Sequence, residues 1–136
     1  MHIIIDRQYL AQAVSQVAKA VSSRTTIPIL TGIKITMTPE YCLLTGSDYE
    51  ISIQASIPVR EDDREIIKVV KLGSIVLPSR YLTEIVKKLP EEQVEIEVRE
   101  QNVTIIRSGQ AEFNLNGLNA EEYPKLPEIE EDQLIS

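Results

Sequence analysis

The sequence predicts an α+β fold in which two helices pack side by side on antiparallel sheet. Two stretches have apolar residues at helical spacing, and each is followed by stretches in which apolar and polar residues alternate. The chain also repeats itself: YLAQAV at residues 9–14 matches YLTEIV at 81–86, and LLTGSDYEISI at 43–53 aligns with IIRSGQAEFNL at 105–115. Both halves therefore follow the order strand, helix and three strands, which indicates an internal duplication.

The first half begins with a short strand of three isoleucines and an amphipathic helix that Asp6 caps. One face of this helix is apolar and is formed by Tyr9, Leu10, Ala13, Val14, Val17 and Val21. Small polar residues then end the helix, and Pro28 prevents it from resuming. Alternation predicts strands at residues 33–37 and 51–55, and turns on either side delimit a third at 41–45. Residues 66–70 are a candidate for a further short strand.

The second half repeats this plan from residue 74. A strand at 74–77 leads into a helix that Pro90 ends. Alternation then predicts strands around residues 94–98, 103–105 and 113–115. We assign residues 1–117 to one domain, with internal repeats at about 1–58 and 73–117.

The remaining residues, 118–136, contain two prolines and many acids, which predicts a linker. The segment closes on Leu134 and Ile135, a pattern typical of a strand that has just begun. We therefore expect residues 118–136 to be a linker and the start of a second domain that is truncated at Ser136.

Composition narrows the class of protein. With 136 residues the chain suits one domain, and no apolar run approaches the roughly 18 residues of a membrane span. The N-terminus lacks the basic start of a signal peptide, and the single cysteine, Cys42, fits a reducing compartment. These features predict a cytoplasmic protein.

The charge distribution is uneven. The net charge is −7, yet from residue 7 to residue 24 the sequence contains no acid. Across both predicted helices and the corner that follows the first, the acids are only Asp6 and Glu84. The bases in the same stretches are Arg7, Lys19, Arg24, Arg80, Lys87 and Lys88. This pattern predicts a cationic helical surface on an otherwise anionic domain.

No arrangement of residues indicates catalysis. Cys42 lies in an alternating strand and His2 is the only histidine, so neither a cysteine nucleophile with its base nor a zinc site is expected. The glycines are not spaced as a phosphate-binding loop. We therefore expect a protein that is not an enzyme and that has no cofactor and no metal.

Long collinear segments of the chain resemble the N-terminal domain of the bacterial DNA sliding clamp, the β subunit of DNA polymerase III. They are SSRTTIPILTGIKI, LTGSDYEISI, SRYLTEIVKKLP, VEIEV and TIIRSGQAEFNLNGL, and EEYPKLPEIEE resembles the connector to the family's second domain. The resemblance implies the DNA clamp (processivity) fold. In this family two chains of three domains close into a ring that encircles duplex DNA without sequence specificity and tethers the replicative polymerase.

The resemblance also implies partners and site residues. Expected partners are duplex DNA, a second clamp subunit in a homodimer and, mainly through domains absent here, DNA polymerase III and the clamp loader. Arg24 and Arg80 match basic positions that face DNA in the family, and helical phase adds Lys19 and Lys87. Phe113 and Leu115 match an apolar pair at the subunit interface, although alternation also allows both to face the core.

Two other functions stay open at this point. One is a stand-alone protein-interaction module that does not bind DNA, and the other is an enzyme. The cationic helical surface argues against the first, and the missing catalytic residues argue against the second.

Overall fold

Strand, helix and strands follow one another twice along the chain. The computed structural model describes residues 1–21, 28–48 and 50–124. The first half consists of β1 (His2–Asp6), α1 (Arg7–Ala18), β2 (Gly32–Met37), β3 (Tyr41–Ser47), β4 (Ser52–Pro58), β5 (Arg60–Glu61), β6 (Arg64–Glu65) and β7 (Ile67–Lys71). The second half consists of β8 (Gly73–Pro78), α2 (Ser79–Lys88), β9 (Gln93–Val98), β10 (Val103–Ser108) and β11 (Ala111–Asn116). Short 3-10 turns lie at Pro28–Thr31, Glu100–Asn102 and Ala120–Glu122.

The two halves exchange their first strands. One sheet has the order β4-β3-β2-β8 and the other has the order β11-β10-β9-β1-β7, with antiparallel pairing between all neighbours. Strand β1 of the first half thus lies beside β9, and β8 of the second half lies beside β2. The predicted α+β class is confirmed, and each sheet contains strands from both halves.

The core lies between the two sheets and the two helices. The apolar stripe of α1 is buried there, as is that of α2. Each sheet contributes alternate residues, such as Ile33 and Ile35 from β2 and Ile96 from β9, and all three are fully buried. A single apolar cluster therefore joins both repeats, and the helices contact each other over it.

The backbone of helix α1 packs directly against its sheet at one glycine. A Cβ atom at Gly46 in β3 would lie only 2.1 Å from the Val17 carbonyl oxygen. The repeat aligns Gly46 with Ser108, whose hydroxyl oxygen accepts a hydrogen bond from the Glu91 N–H at 3.0 Å. The first repeat thus packs helix backbone directly on strand, while at the matching position of the second repeat a serine binds the segment that follows α2.

Asp6 holds the start of α1 in two ways. Its carboxylate accepts hydrogen bonds from the N–H groups of Gln8 at 2.8 Å and Tyr9 at 3.3 Å, as the sequence predicted for a cap. The same carboxylate pairs with Arg64 of β6 at 2.5 Å. Residues 60–65, between the strands predicted at 51–55 and 66–70, form a hairpin, β5–β6, that lies against the helix start.

The packed part of the chain extends past residue 117. Leu118 forms an antiparallel bridge with Val76, and Tyr123 is buried in a small cluster with Ile29 and Leu30. These residues were predicted to be linker, but apolar side chains at Leu118 and Tyr123 give them contacts with β8. Residues 125–136 lie outside the described part, and the domain boundaries stay predictions.

Candidate nucleic-acid interface

The solvent side of the two helices is poor in acids, as predicted. We call the exposed residues of α1 and α2, together with Lys19, the helical face. On α1 it consists of Gln8, Gln12, Ser15 and Gln16, followed by Lys19. On α2 it consists of Arg80, Tyr81, Glu84, Lys87 and Lys88. Since the helices contact each other, these residues form one surface with four cations and one carboxylate.

The predicted DNA-binding residues within the described chain are all accessible. Lys19, Arg80 and Lys87 are exposed, and in the described part of the chain none of them forms an ion pair. Arg80 and Lys87 are two helical turns apart, so they lie in one row separated by roughly 10 Å along the axis. The prediction for Arg24 lies outside the described residues.

Arg7 was counted among the surface bases but makes a specific internal contact. Its guanidinium donates a hydrogen bond to the Leu89 carbonyl oxygen at 2.9 Å, and its backbone N–H donates to Glu92. Carbonyl groups at the end of a helix lack partners within the helix, and Arg7 satisfies one of them for α2. Arg7 thus connects the start of α1 to the end of α2 rather than extending freely into solvent.

On the outer surface of the five-stranded sheet, carboxylates surround one arginine. Arg107 on β10 lies between carboxylates on the neighbouring strands, at 3.0 Å from Glu112, 3.1 Å from Glu95 and 3.3 Å from Glu97. Glu95 also accepts a hydrogen bond from His2 on β1, and this bond, assisted by Arg107, lowers the pKa of Glu95. These residues alternate with core residues, so they lie on the side of the sheet away from the helices.

The same network contains the ligand types of a metal centre. Ligand atoms of His2, Glu95 and Glu97 lie within 4.8 Å of one another. However, the Arg107 guanidinium already contacts both carboxylates and supplies the positive charge that a metal ion would bring. We therefore interpret these residues as a cross-strand ion-pair network. Its sequence signal is the set of opposite charges on β9, β10 and β11, which becomes informative only when the pairing of these strands is known.

The predicted interface pair differs in accessibility. Phe113 and Leu115 lie on β11, an edge strand of the five-stranded sheet, and both point to its core side, opposite Ile106 and Thr104. Leu115 is only 9% exposed, whereas Phe113 is half-buried. The chain therefore places Leu115 in its own core, the alternative that alternation allowed, and Phe113 offers more surface to a partner.

Cys42 is unsuited to nucleophilic chemistry. It is fully buried in β3, and burial raises the pKa of its thiol to about 12. In the described residues no helix is long and apolar enough to cross a membrane.

Comparisons with known proteins relate the chain to one protein family. The family model "DNA polymerase III beta subunit, N-terminal domain" matches residues 1–127. The beta sliding clamps of Halalkalibacterium halodurans and Bacillus subtilis are 57% and 58% identical over 135 residues, which is 99% of this chain and 36% of each relative. The chain thus spans about a third of the length of the curated relatives it matches.

Solved structures match as well. The crystal structure of the DNA polymerase sliding clamp from Bacillus subtilis superposes with a TM-score of 0.92 at 58% identity, covering 93% of this chain and 33% of that chain. The DNA polymerase III beta chain from Streptococcus pneumoniae matches with a TM-score of 0.87 at 33% identity, with the same coverage.

Proposed function

Because the chain belongs to the family of DNA polymerase III beta subunit N-terminal domains, we propose that it is the first domain of a ring-shaped sliding clamp. In this role it is a non-catalytic processivity factor of bacterial DNA replication, acting on the nucleoid in the cytoplasm. The rest of the ring comes from further domains and from a second subunit. The polymerase and the clamp loader bind mainly to those other domains.

The observation that carries the proposal is the helical face. A ring that slides must hold duplex DNA through phosphate contacts that are weak and interchangeable, because contacts to base edges would stop it at one sequence. Lys19, Arg80 and Lys87 supply such contacts, and the neighbouring glutamines and serine supply neutral hydrogen-bond donors. We add Arg24 to this site on its match to the family alone.

Charge on the other side of the domain supports the same arrangement. The outer sheet surface carries Glu95, Glu97 and Glu112 around one arginine, and the whole chain has a net charge of −7. This negative field repels phosphate from the outer surface, so duplex DNA is favoured only along the helices.

Strand β11 supplies the contact to the second subunit in this proposal. It is the last strand of its sheet, and within the described residues its outer edge has no paired strand. Phe113 is the principal apolar contact, and Leu115 supports it from within the core.

The test measures duplex DNA binding by this chain as a function of salt. Replacing Arg80 and Lys87 together by alanine should weaken binding, and it should reduce the slope of log affinity against log salt by about 0.9 for each phosphate that the variant no longer neutralises. The matched control replaces Lys68 and Lys71, two exposed lysines of β7, and changes the net charge equally. Randomising the DNA sequence should change nothing.

Two results would contradict the proposal. If the β7 control weakened binding as much as the α2 variant, net charge alone would explain the effect. If the wild-type chain showed no binding at low salt, the alternative of a protein-interaction module that does not bind DNA would be favoured.

A further inference from the structure

We propose that Glu84 sets the upper limit on the affinity of the helical face for duplex DNA, which keeps each contact short-lived. This inference rests on the proposed function. It assigns a role to the one acidic side chain on the surface that we propose to face DNA.

Glu84 lies in the middle of the cations of α2. Arg80 precedes it by four residues, and Lys87 and Lys88 follow it by three and four. Residues at these spacings are neighbours on a helix, with Cβ atoms about 5–6 Å apart. A phosphate held by either Arg80 or Lys87 would therefore lie close to the Glu84 carboxylate.

The structure gives Glu84 no evident part in stability. Its side chain is exposed, and among the described residues no basic group lies within ion-pair distance of it. Exposed pairs at this spacing stabilise helices only weakly in any case. The carboxylate is thus free to act on a bound anion, and like charges repel.

The internal repeat supplies an independent argument. The alignment of residues 9–14 with 81–86 places Gln12 of α1 opposite Glu84 of α2. The same position of the same fold is therefore neutral in one helix and negative in the other, so the fold does not require a carboxylate there. The charge lies on the helix that has more cations, where it reduces their combined attraction for phosphate.

A clamp needs this balance because it has to hold DNA by enclosing it and not by binding it tightly. With Glu84 replaced by glutamine, the row from Arg80 to Lys88 would be an uninterrupted set of three cations. The same three cations would then attract phosphate without an opposing charge between them, which strengthens binding most at low salt, where charges are screened least.

The experiment titrates this chain and its Glu84→Gln variant with a duplex of random sequence, followed by NMR chemical shifts, which report weak binding. At about 25 mM salt the variant should bind about threefold more tightly than the wild type, and the difference should shrink at about 150 mM salt. The matched control is Glu100→Gln, which removes the same charge from the exposed turn before β10. Arg80→Ala is measured alongside, and thermal unfolding checks that all variants fold.

Each outcome is decisive. Tighter binding by Glu84→Gln alone supports the inference. Equal tightening by Glu84→Gln and Glu100→Gln means that only net charge matters, which overturns it. An unchanged Glu84→Gln variant beside a weakened Arg80→Ala variant overturns the inference and leaves the proposed function standing. If neither variant changes binding, both are overturned.

Discussion

Gly46→Ala tests how the first helix is held in place. The added Cβ would lie 2.1 Å from the Val17 carbonyl oxygen and 2.9 Å from its carbonyl carbon, both of them backbone atoms of α1. Such atoms are in favourable contact only beyond about 3.5 Å, so the end of α1 would have to move by roughly 1.4 Å. A flexible side chain could rotate away from the added Cβ, but the backbone of Val17 cannot. The whole last turn of α1 must therefore shift.

The expected cost follows from that displacement. Overpacking of this kind costs about 1–3 kcal/mol, and the lower entropy of unfolded alanine offsets at most about 1 kcal/mol. Because the clashing atoms are backbone, we expect the cost at the upper end of that range, so Gly46→Ala should lower the free energy of unfolding by about 2 kcal/mol. Urea unfolding would show this as a lower midpoint with an unchanged slope.

Ser108→Ala is the matched control, since the repeat aligns Ser108 with Gly46 and a Cβ is already accommodated there. It should cost only the hydrogen bond to Glu91, about 0.5–1.5 kcal/mol. A Gly46→Ala variant as stable as the wild type would refute the idea that close backbone contact positions α1.

Three further predictions concern stability and reactivity. Asp6→Ala should destabilise the protein by about 1 kcal/mol in urea unfolding, whereas Asp6→Asn keeps the cap and should stay close to wild type. If both variants lost the same stability, the ion pair with Arg64 would matter more than the cap. Cys42 should not react with a thiol reagent in the folded protein at neutral pH, because burial raises the pKa of its thiol to about 12, and it should react on unfolding. Rapid labelling of the folded protein would contradict this burial. The pKa of Glu95 is lowered in the folded state, so Glu95 stabilises the fold above its unfolded pKa of about 4.3. This stabilisation is lost as the pH falls through the pKa of Glu95 in the folded protein. His2→Ala should therefore lose less stability than the wild type as the pH falls below the unfolded pKa of about 4.3, and identical pH profiles would exclude the hydrogen bond as the cause.

Much of the fold could be predicted because its signals are local. Helical spacing identified the buried stripes of α1 and α2, and alternation identified the strands. The Asp6 cap also follows from a local pattern, since a carboxylate placed just before an apolar stripe can reach the first N–H groups.

The pairing between the halves was not predictable from those signals. Periodicity shows that β1 and β8 are strands, but it does not say which strand each will pair with. The close packing of α1 on β3 also depends on a long-range contact, since Gly46 meets Val17 only after the chain has folded.

At the candidate site, the sequence predicted which side chains are exposed better than it predicted which groups they contact. The helical phase of Lys19, Arg80 and Lys87 placed them correctly on the solvent side. The sequence did not show that Arg7 bonds to the end of α2, because its acceptor is a backbone carbonyl 82 residues away. The sequence also could not show whether Leu115 lies in the core or on the surface. On an edge strand, residues of one face can pack in the core or remain accessible to a partner.

The most direct test of the central claim is a map of the amides whose NMR signals shift when duplex DNA is added to this chain at low salt. The account predicts that the shifts occur at Lys19 and along α2 from Arg80 to Lys88, and that they disappear as salt is raised. It also predicts no shift around Arg107 on the outer sheet. Shifts centred on that outer surface, or shifts that persist at high salt, would contradict the claim that the helical face is where this domain meets DNA.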